Sequence, residues 1–234
     1  MSIQTRPIHL PDGTVTATVY PASESARGDA VLVLAHGAGA GQTSGFIVQF
    51  ATALATAGLD VVTFDFPYMA GRRRVPDPPA RLEDCYRAVI AQVTDSPNLA
   101  DKALFIGGKS MGGRIATQIA AGPGVDAVRG LVLLGYPLHP PGKPQQLRAK
   151  HLPGITKRML FIQGSRDTFG TPEELRPILE PLGQRADLWV VEDGDHSFKV
   201  PARRGPPASI HGAIQARIVE WIQGVVGVSG RTMT

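Results

Sequence analysis

One serine of this chain lies in a sequence context typical of a catalytic nucleophile. Ser110 is the centre of Gly-Lys-Ser-Met-Gly (108–112), after the apolar run 103–107 and before the helix-forming run 114–120. A strand that turns abruptly into a helix at such a serine is a nucleophile elbow, and its glycines are needed because a Cβ there would collide with neighbouring backbone. The turn holds the serine in a strained conformation that points out of the sheet. We therefore predict that Ser110 is a catalytic nucleophile.

A serine hydroxyl is a weak nucleophile at neutral pH and needs a base to accept its proton. His196 follows the last predicted strand on a glycine-containing loop, so we predict that it is this base. Asp167 follows the penultimate predicted strand, where a carboxylate can orient the imidazole and stabilise its charged form. Asp193 and Asp195 are closer to the histidine in sequence and are the alternatives, although neighbours on one short loop rarely point back at the ring.

Attack on an acyl group creates a negatively charged oxygen, which two preorganised N–H donors would stabilise. Met111, the residue after the nucleophile, is the first predicted donor of this oxyanion hole. The glycine-rich segment 36–41 follows the first central strand, and Ala38, or alternatively Gly37, is the second predicted donor. The segment lacks both the P-loop pattern and the dinucleotide-binding pattern, so nucleotide binding is not expected. The predicted chemistry requires no metal and no cofactor.

Several basic residues are weaker candidates for substrate binding. Lys109 is adjacent to the predicted nucleophile, Arg72, Arg73 and Arg74 follow a predicted strand, and Lys199 is close to the predicted base. Such a group could favour an anionic substrate. Solvated loop charges are the favoured interpretation.

Short apolar segments alternate with helical patterns along the chain, which is typical of a parallel sheet covered by helices on both faces. The predicted strands are 15–20, 30–35, 61–66, 103–107, 131–135, 159–163 and 188–191. The predicted helices are 44–57, 80–94, 111–121, 171–182 and 207–226, with N-caps at Ser44 and Thr171 and a C-terminal stop at Gly58. We predict one α/β domain over residues 1–234 with a mostly parallel central sheet.

Composition narrows the class of protein. Of the 234 residues, 43% are hydrophobic and 19% charged, which is enough to bury one substantial core. The chain has no signal-peptide pattern and no apolar stretch near the ~20 residues of a membrane span, so we expect a cytoplasmic protein without membrane partners.

The net charge is +4, and the charged residues are concentrated in a few loops. No nucleic-acid-binding motif accompanies them, so no nucleic-acid partner is expected. The single cysteine, Cys85, allows no internal disulfide and is interpreted as a packed helical residue. The sequence makes no prediction of oligomeric state.

The order Ser110, Asp167, His196, each after a predicted strand, resembles the α/β-hydrolase superfamily over nearly the whole chain. Within it, the chain is most similar to the small, lidless dienelactone-hydrolase-like branch. The segments 64–68, 71–73 and 107–114 resemble a narrower group of predicted hydrolases that includes a eukaryotic chromatin-complex subunit. Dienelactone hydrolases have a cysteine where this chain has Ser110, so their particular substrate is not implied. The resemblance implies the α/β-hydrolase fold.

The interval where lid-bearing relatives insert their lid is short in this chain. It runs from 136 to 158 and includes five prolines. A helical cap domain does not fit there, so we expect an open site with at most a loop over it.

These observations predict a serine hydrolase that cleaves an ester, thioester or similar acyl bond of a small soluble substrate through an acyl-enzyme. A binding or scaffold protein on the same fold is an alternative, because fold alone does not give function. A complete set of three catalytic residues and an oxyanion loop counts against it. A serine peptidase is also less favoured, since neither a propeller domain nor a lid is present. Acyl length and leaving group depend on the shape of the cavity.

Overall fold

The computed structural model describes residues 2–204 and 206–230, and within these residues eight strands form one sheet. The strands are β1 (Gln4–Leu10), β2 (Gly13–Tyr20), β3 (Ala30–Ala35), β4 (Asp60–Phe64), β5 (Ala103–Lys109), β6 (Val128–Leu134), β7 (Arg158–Gly164) and β8 (Ala186–Val191). Their order across the sheet is β1, β2, β4, β3, β5, β6, β7, β8. The β1/β2 and β2/β4 pairs are antiparallel, and every other pair is parallel. The predicted mostly parallel sheet is confirmed.

Helices cover both faces of this sheet, as predicted. They are α1 (Gly45–Thr56), α2 (Pro67–Ala70), α3 (Pro79–Thr94), α4 (Met111–Ala120), α5 (Pro172–Leu179) and α6 (Pro207–Gly230). Successive side chains of a strand point to opposite faces. In β3, Val31 and Val33 therefore pack in the cluster that includes residues of α3, α4 and α5, whereas Leu32 and Leu34 pack in the cluster that includes residues of α1 and α6. Burial on both faces explains why the sequence of β3 is uninterruptedly apolar.

Some elements differ from the sequence prediction. The strand β1 is not predicted because it lies at the edge of the sheet and buries only Ile8, so it lacks an apolar alternation. The helix α2 has four residues, too few for a helical period to be recognised. The helix predicted to reach residue 182 ends at Leu179 and continues as a 3-10 segment, Glu180–Arg185, because Pro181 has no N–H for the next α-helical bond.

The predicted helix ends are found. Thr171 begins α5 with a capping box, in which its hydroxyl accepts from the Glu174 N–H at 3.4 Å and the Glu174 carboxylate accepts from the Thr171 N–H at 2.8 Å. Gly58 follows the C-cap of α1 with a φ of 99°, which favours glycine. Ser44 is the N-cap of α1, although its side chain makes no capping hydrogen bond.

The chain between β6 and β7 forms no cap domain. Its one regular element is a 3-10 turn, Leu152–Gly154. This agrees with the short, proline-rich interval in the sequence. Separately, no helix in the described part of the chain has both the length and the apolar composition required to cross a membrane.

Two glycines let the turn between β5 and α4 pack directly on the backbone at the end of β3. A Cβ at Gly108 would lie 2.4 Å from the Ala35 carbonyl oxygen, and a Cβ at Gly112 would lie 2.6 Å from the His36 carbonyl oxygen. Side-chain carbons do not approach backbone oxygens so closely in a packed interior. The turn that carries Ser110 is therefore held against the start of the glycine-rich segment 36–41.

Replacing Gly112 with alanine is expected to lower the free energy of unfolding by about 2 kcal/mol or more, because the backbone after β3 would have to move. Gly212, in the exposed part of α6, is the matched control. No atom lies within 4 Å of a Cβ at Gly212. Alanine there is expected to raise the free energy of unfolding by up to about 1 kcal/mol through its helix propensity. Urea unfolding measures both changes, and equal stability of the two variants would contradict this packing.

Candidate active site

Ser110 lies at the junction of β5 and α4 in a strained conformation. Its φ is 50° and its ψ is −114°, although a positive φ is unfavourable for a residue with a Cβ. The conformation persists because the backbone on both sides is fixed. The Ser110 N–H donates to the Leu134 carbonyl at 2.8 Å, and the Ser110 carbonyl accepts from the Arg114 N–H at 3.1 Å. The strained turn expected from the glycine pattern is present.

The loop that follows β8 brings His196 to this serine. The His196 Nε2 atom lies 2.8 Å from Ser110 Oγ, and His196 Nδ1 lies 2.8 Å from Asp167 Oδ2 and 3.0 Å from Oδ1. A carboxylate accepts hydrogen bonds, so the proton of the neutral imidazole is on Nδ1. Nε2 is then free to accept the serine proton. The Phe169 ring stacks on the imidazole with the ring centroids 4.2 Å apart, which restricts its tilt.

The buried carboxylate of Asp167 is the one that contacts His196. It also accepts hydrogen bonds from the Phe169 N–H at 2.8 Å and from Gln163 Nε2 at 2.9 Å. The two alternative aspartates have other partners. Asp193 pairs with Arg203 and Arg204, and these contacts hold the pKa of its carboxyl below the usual value.

Asp195, the second alternative, stabilises the loop that carries the histidine. Its Oδ1 atom accepts hydrogen bonds from the N–H groups of Ser197 at 2.8 Å and Lys199 at 2.9 Å. Its own N–H donates to the Lys199 carbonyl at 3.0 Å. The carboxylate is therefore engaged with backbone and not with the imidazole.

Gln163, at the end of β7, is a structural centre of the site that sequence reasoning does not identify. Its side chain is fully buried. Its Nε2 group donates to Asp167 Oδ2 and, at 2.7 Å, to the Gly170 carbonyl, while its Oε1 accepts from the Tyr136 N–H at 2.8 Å. Gln163 thus connects the loops after β6 and β7. The only sequence signal is a polar residue directly after the apolar run 159–162.

The side chains of His36 and Tyr68 contact backbone carbonyl groups of the glycine-rich segment after β3. His36 Nδ1 lies 2.7 Å from the Gly37 carbonyl oxygen, and its Nε2 accepts the Phe66 N–H at 3.0 Å, so the ring is neutral with its proton on Nδ1. Burial lowers the pKa of His36, in agreement with the neutral form. The Tyr68 hydroxyl donates to the Ala38 carbonyl at 2.9 Å. These contacts fix the orientation of two successive peptide groups.

The two N–H groups predicted to form the oxyanion hole have no hydrogen-bond acceptor within the described part of the chain. In a trans peptide the C=O and the next N–H point in opposite directions. Because the Gly37 carbonyl faces His36, the Ala38 N–H faces away from that ring. Neither Ala38 nor Met111 donates its N–H to another described group. A Cβ on Gly37 would lie 3.7 Å from the Ser110 Cβ, so this segment is adjacent to the serine.

A cavity of about 750 Å³ opens beside Ser110 and His196. Its lining is mainly apolar, and no acidic side chain is among the lining residues that the structure describes. The larger apolar side chains come from α1, from the loops after β7 and β8, and from the start of α6: Phe46, Ile47, Phe169, Phe198, Val200 and Pro207. The loop between β6 and β7 contributes none of the lining residues. The site is therefore an open cavity next to the serine.

The predicted basic residues separate into two groups. Arg72, Arg73 and Arg74 are exposed and do not line the cavity, and Arg73 pairs with Asp77 at 2.7 Å. The structure does not bring them to the serine. Lys109 and Lys199 do line the cavity.

His211 is a cavity residue that its sequence position does not predict, because it follows no strand directly. It lies near the start of α6 and lines the cavity. Its Nδ1 atom is 2.9 Å from Gln49 Oε1, and its ring meets Phe46 edge-on with the centroids 5.7 Å apart. Burial lowers the pKa of His211, so the neutral form is favoured at this wall.

The fold and this arrangement of side chains correspond to a known family. Residues 28–223 match the family described as alpha/beta hydrolase domain. The match includes the strands β3 to β8, the turn that carries Ser110, the glycine-rich segment after β3 and the loops after β7 and β8. The chain belongs to the alpha/beta hydrolase family.

Solved structures of other proteins have the same fold. A lidless α/β serine hydrolase from Xanthomonas campestris has 21% identity, 94% of each chain covered and a TM-score of 0.74. A dienelactone hydrolase from Anabaena variabilis has 20% identity, with 95% of this chain and 97% of that chain covered and a TM-score of 0.73. An esterase from Pyrococcus furiosus has 16% identity, 95% and 90% coverage and a TM-score of 0.72. The resemblance to lidless, dienelactone-hydrolase-like proteins is confirmed for the fold, and the narrower resemblance stays a prediction.

Replacing Gln163 with leucine is expected to lower the free energy of unfolding by about 3 kcal/mol, because buried polar groups would lose their partners. Gln146, which is exposed, is the matched control, and its replacement with leucine is expected to change stability by less than about 0.5 kcal/mol. Urea unfolding at neutral pH measures the difference. A Gln163→Leu variant as stable as the control would show that this glutamine does not support the Asp167 loop.

Proposed function

We propose that this protein is a serine hydrolase that cleaves an ester, thioester or similar acyl bond, with Ser110 as nucleophile, His196 as general base and Asp167 as the carboxylate that orients it. The observation that carries the proposal is the unbroken chain of contacts from Ser110 Oγ through His196 to the buried Asp167, each link 2.8 Å long. A hydroxyl with an imidazole acceptor at this distance is activated for attack. Membership of the alpha/beta hydrolase family supports hydrolase activity, and the assignment of catalytic roles to the three residues rests on these contacts.

In the first half-reaction Ser110 Oγ forms a bond to the acyl carbon while His196 Nε2 takes the hydroxyl proton. The Asp167 carboxylate stabilises the imidazolium through its hydrogen bond to Nδ1. The acyl oxygen becomes negatively charged and is stabilised by the N–H groups of Met111 and Ala38. Loss of one such donor typically raises the barrier by about 3 kcal/mol.

The tetrahedral intermediate then collapses. The bond from the acyl carbon to the leaving oxygen or sulfur breaks, and His196 donates its proton to the leaving group. Water subsequently attacks the acyl-enzyme, with the same histidine accepting a proton from the water and returning it to Ser110. The products are an acid and an alcohol or thiol, and no metal or cofactor takes part in these steps.

The cavity supports a substrate with an apolar group beside the reacting bond. Phe46 stacks on Phe50 with centroids 4.2 Å apart and lies 6.2 Å from the Phe198 ring, so this wall consists of aromatic faces and edges. Burying apolar surface contributes about 25 cal/mol per Å². Without a lining carboxylate among the described residues, the cavity has nothing to pair with a cationic substrate. Esters with a neutral, apolar acyl or alcohol group fit this chemistry.

The Ser110→Ala variant is expected to lower kcat for p-nitrophenyl esters by roughly 10³-fold or more, because the nucleophile is removed. A fluorophosphonate probe, followed by peptide mass spectrometry, is expected to label Ser110 in the wild type and not in a folded His196→Ala variant. An unlabelled, folded wild type would exclude the hydrolase proposal and favour a binding protein on the same fold.

The Phe46→Ala variant is expected to raise KM for a p-nitrophenyl ester with an aromatic or long acyl group by roughly tenfold, and KM for the acetate by much less, because apolar contact is lost. Val48, partly exposed on the same helix and outside the cavity lining, provides the matched control Val48→Ala. Steady-state kinetics on the folded wild type and variants measure the change in KM for each variant with each ester. An equal effect on both esters would contradict a role of this wall in substrate binding.

A further inference from the structure

The residue before the nucleophile, Lys109, is connected to the loop that carries the predicted base. Its side chain leaves the end of β5, and its ammonium group donates a hydrogen bond to the backbone carbonyl of His196. The ammonium also lies 5.2 Å from the centroid of the Phe198 ring, within the range of a cation–π contact. One side chain therefore joins the elbow to the residues on either side of Ser197.

The ammonium group lies beside Gly135, the residue directly after β6, which has no Cβ. A Cβ on Gly135 would be 2.8 Å from Lys109 Nζ, 3.2 Å from the His196 carbonyl oxygen and 3.4 Å from His196 Nδ1. These three distances place the ammonium, the carbonyl and the imidazole around one point. The contact is thus part of the site and not a chance meeting of surface groups.

The loop that receives this hydrogen bond is not relaxed. Phe198 has a φ of 60°, which is rare for an aromatic residue and is maintained only by surrounding contacts. Within the loop, the Phe198 N–H donates to the Asp195 carbonyl at 2.9 Å. The Asp195 side chain fixes two further N–H groups, as described above. In addition to these internal bonds, Lys109 attaches the loop to the elbow.

We propose that Lys109 is a positioning residue whose ammonium group anchors the His196 carbonyl to the nucleophile elbow and so holds the imidazole at hydrogen-bond distance from Ser110. This inference rests on the proposed function, since the position of the base matters only if Ser110 reacts. A neutral side chain of the same length would fill the space but could not donate to the carbonyl. The ammonium supplies a charge-assisted bond, which is stronger than a neutral one.

The proposal includes a dependence on pH. Burial lowers the pKa of Lys109 to about 8, and the carboxylates of Asp167 and Asp195, which face it from the loops after β7 and β8, oppose that shift. The His196 imidazole is the other titratable group around the same point. Below this pKa the lysine is charged and holds the carbonyl, and above it the bond loses its charge. For an uncharged ester we expect kcat/KM of the wild type to fall above about pH 8.

The test compares Lys109→Met, which keeps the length without the charge, with Lys150→Met, which removes an exposed cation that does not line the cavity. Lys109→Met is expected to lower kcat/KM and the rate of fluorophosphonate labelling by about 10- to 100-fold with KM changed little, because the base is displaced. The decrease above about pH 8 is expected to be absent from this variant. Lys150→Met is expected to behave as the wild type in both measurements.

Hydrogen–deuterium exchange gives a readout that does not depend on activity. The amides of Asp195, Ser197, Phe198 and Lys199 are expected to exchange roughly tenfold faster in Lys109→Met than in the wild type or Lys150→Met. If Lys109→Met does not fold, the wild type alone decides. Its protection factors at these amides, corrected for intrinsic exchange, should then decrease as the pH is raised from about 7 to about 9.5.

The outcomes separate this inference from the proposed function. A wild type that does not label would overturn the proposed function and the inference with it. If the wild type is reactive and Lys109→Met differs from it by less than about twofold in labelling rate and in amide exchange, the inference is overturned and the proposed function is not. Faster exchange without slower labelling would also overturn it, because the bond would then hold the loop without positioning the base. Protection factors that do not change with pH would overturn it if only the wild type can be studied.

Discussion

The close packing of the β5/α4 turn on the end of β3 is the constraint on which the site depends. A Cβ on Gly108 or Gly112 would lie only 2.4 Å from the Ala35 carbonyl oxygen or 2.6 Å from the His36 carbonyl oxygen. Since atoms cannot overlap in a close-packed interior, the strained serine and the segment 36–41 are fixed relative to each other before any substrate binds. In the proposed reaction, N–H donors preorganised in this way would need no rearrangement when charge develops on the acyl oxygen.

A second constraint is the cost of a buried carboxylate. Asp167 is fully enclosed, and it is stabilised by hydrogen bonds from His196, Gln163 and the Phe169 N–H. A buried charge without such partners would destabilise the fold by several kcal/mol. The same contacts that satisfy this carboxylate also set the tautomer of the imidazole, so stability and the proposed chemistry depend on one network. Gln163 extends that network to the loop after β6.

The strands of the parallel part of the sheet could be predicted because they are buried on both faces and therefore apolar throughout. The bounds of β3 are those predicted, and the other central strands differ by a few residues at their ends. The proximity of Ser110, Asp167 and His196 could be predicted because the carboxyl ends of parallel strands meet at one edge of the sheet. The edge strand β1 could not, since most of its side chains face water and obey no apolar period.

Other features of the site have no signal in sequence order. Gln163 is one polar residue in a strand, His211 belongs to a helix far along the chain, and the arginines after β4 are exposed and do not line the cavity. The sequence by itself determined the order of the strands along the chain, the sharp turn at Ser110 and the identity of three residues that follow strand ends, because local periodicity and glycine spacing encode them. Only the tertiary structure decided that Asp167, and neither Asp193 nor Asp195, contacts His196, that Lys109 contacts the histidine loop and that aromatic side chains from α1 and the loop after β8 form one wall. These are contacts between segments distant in sequence, and they depend on how the elements pack in space.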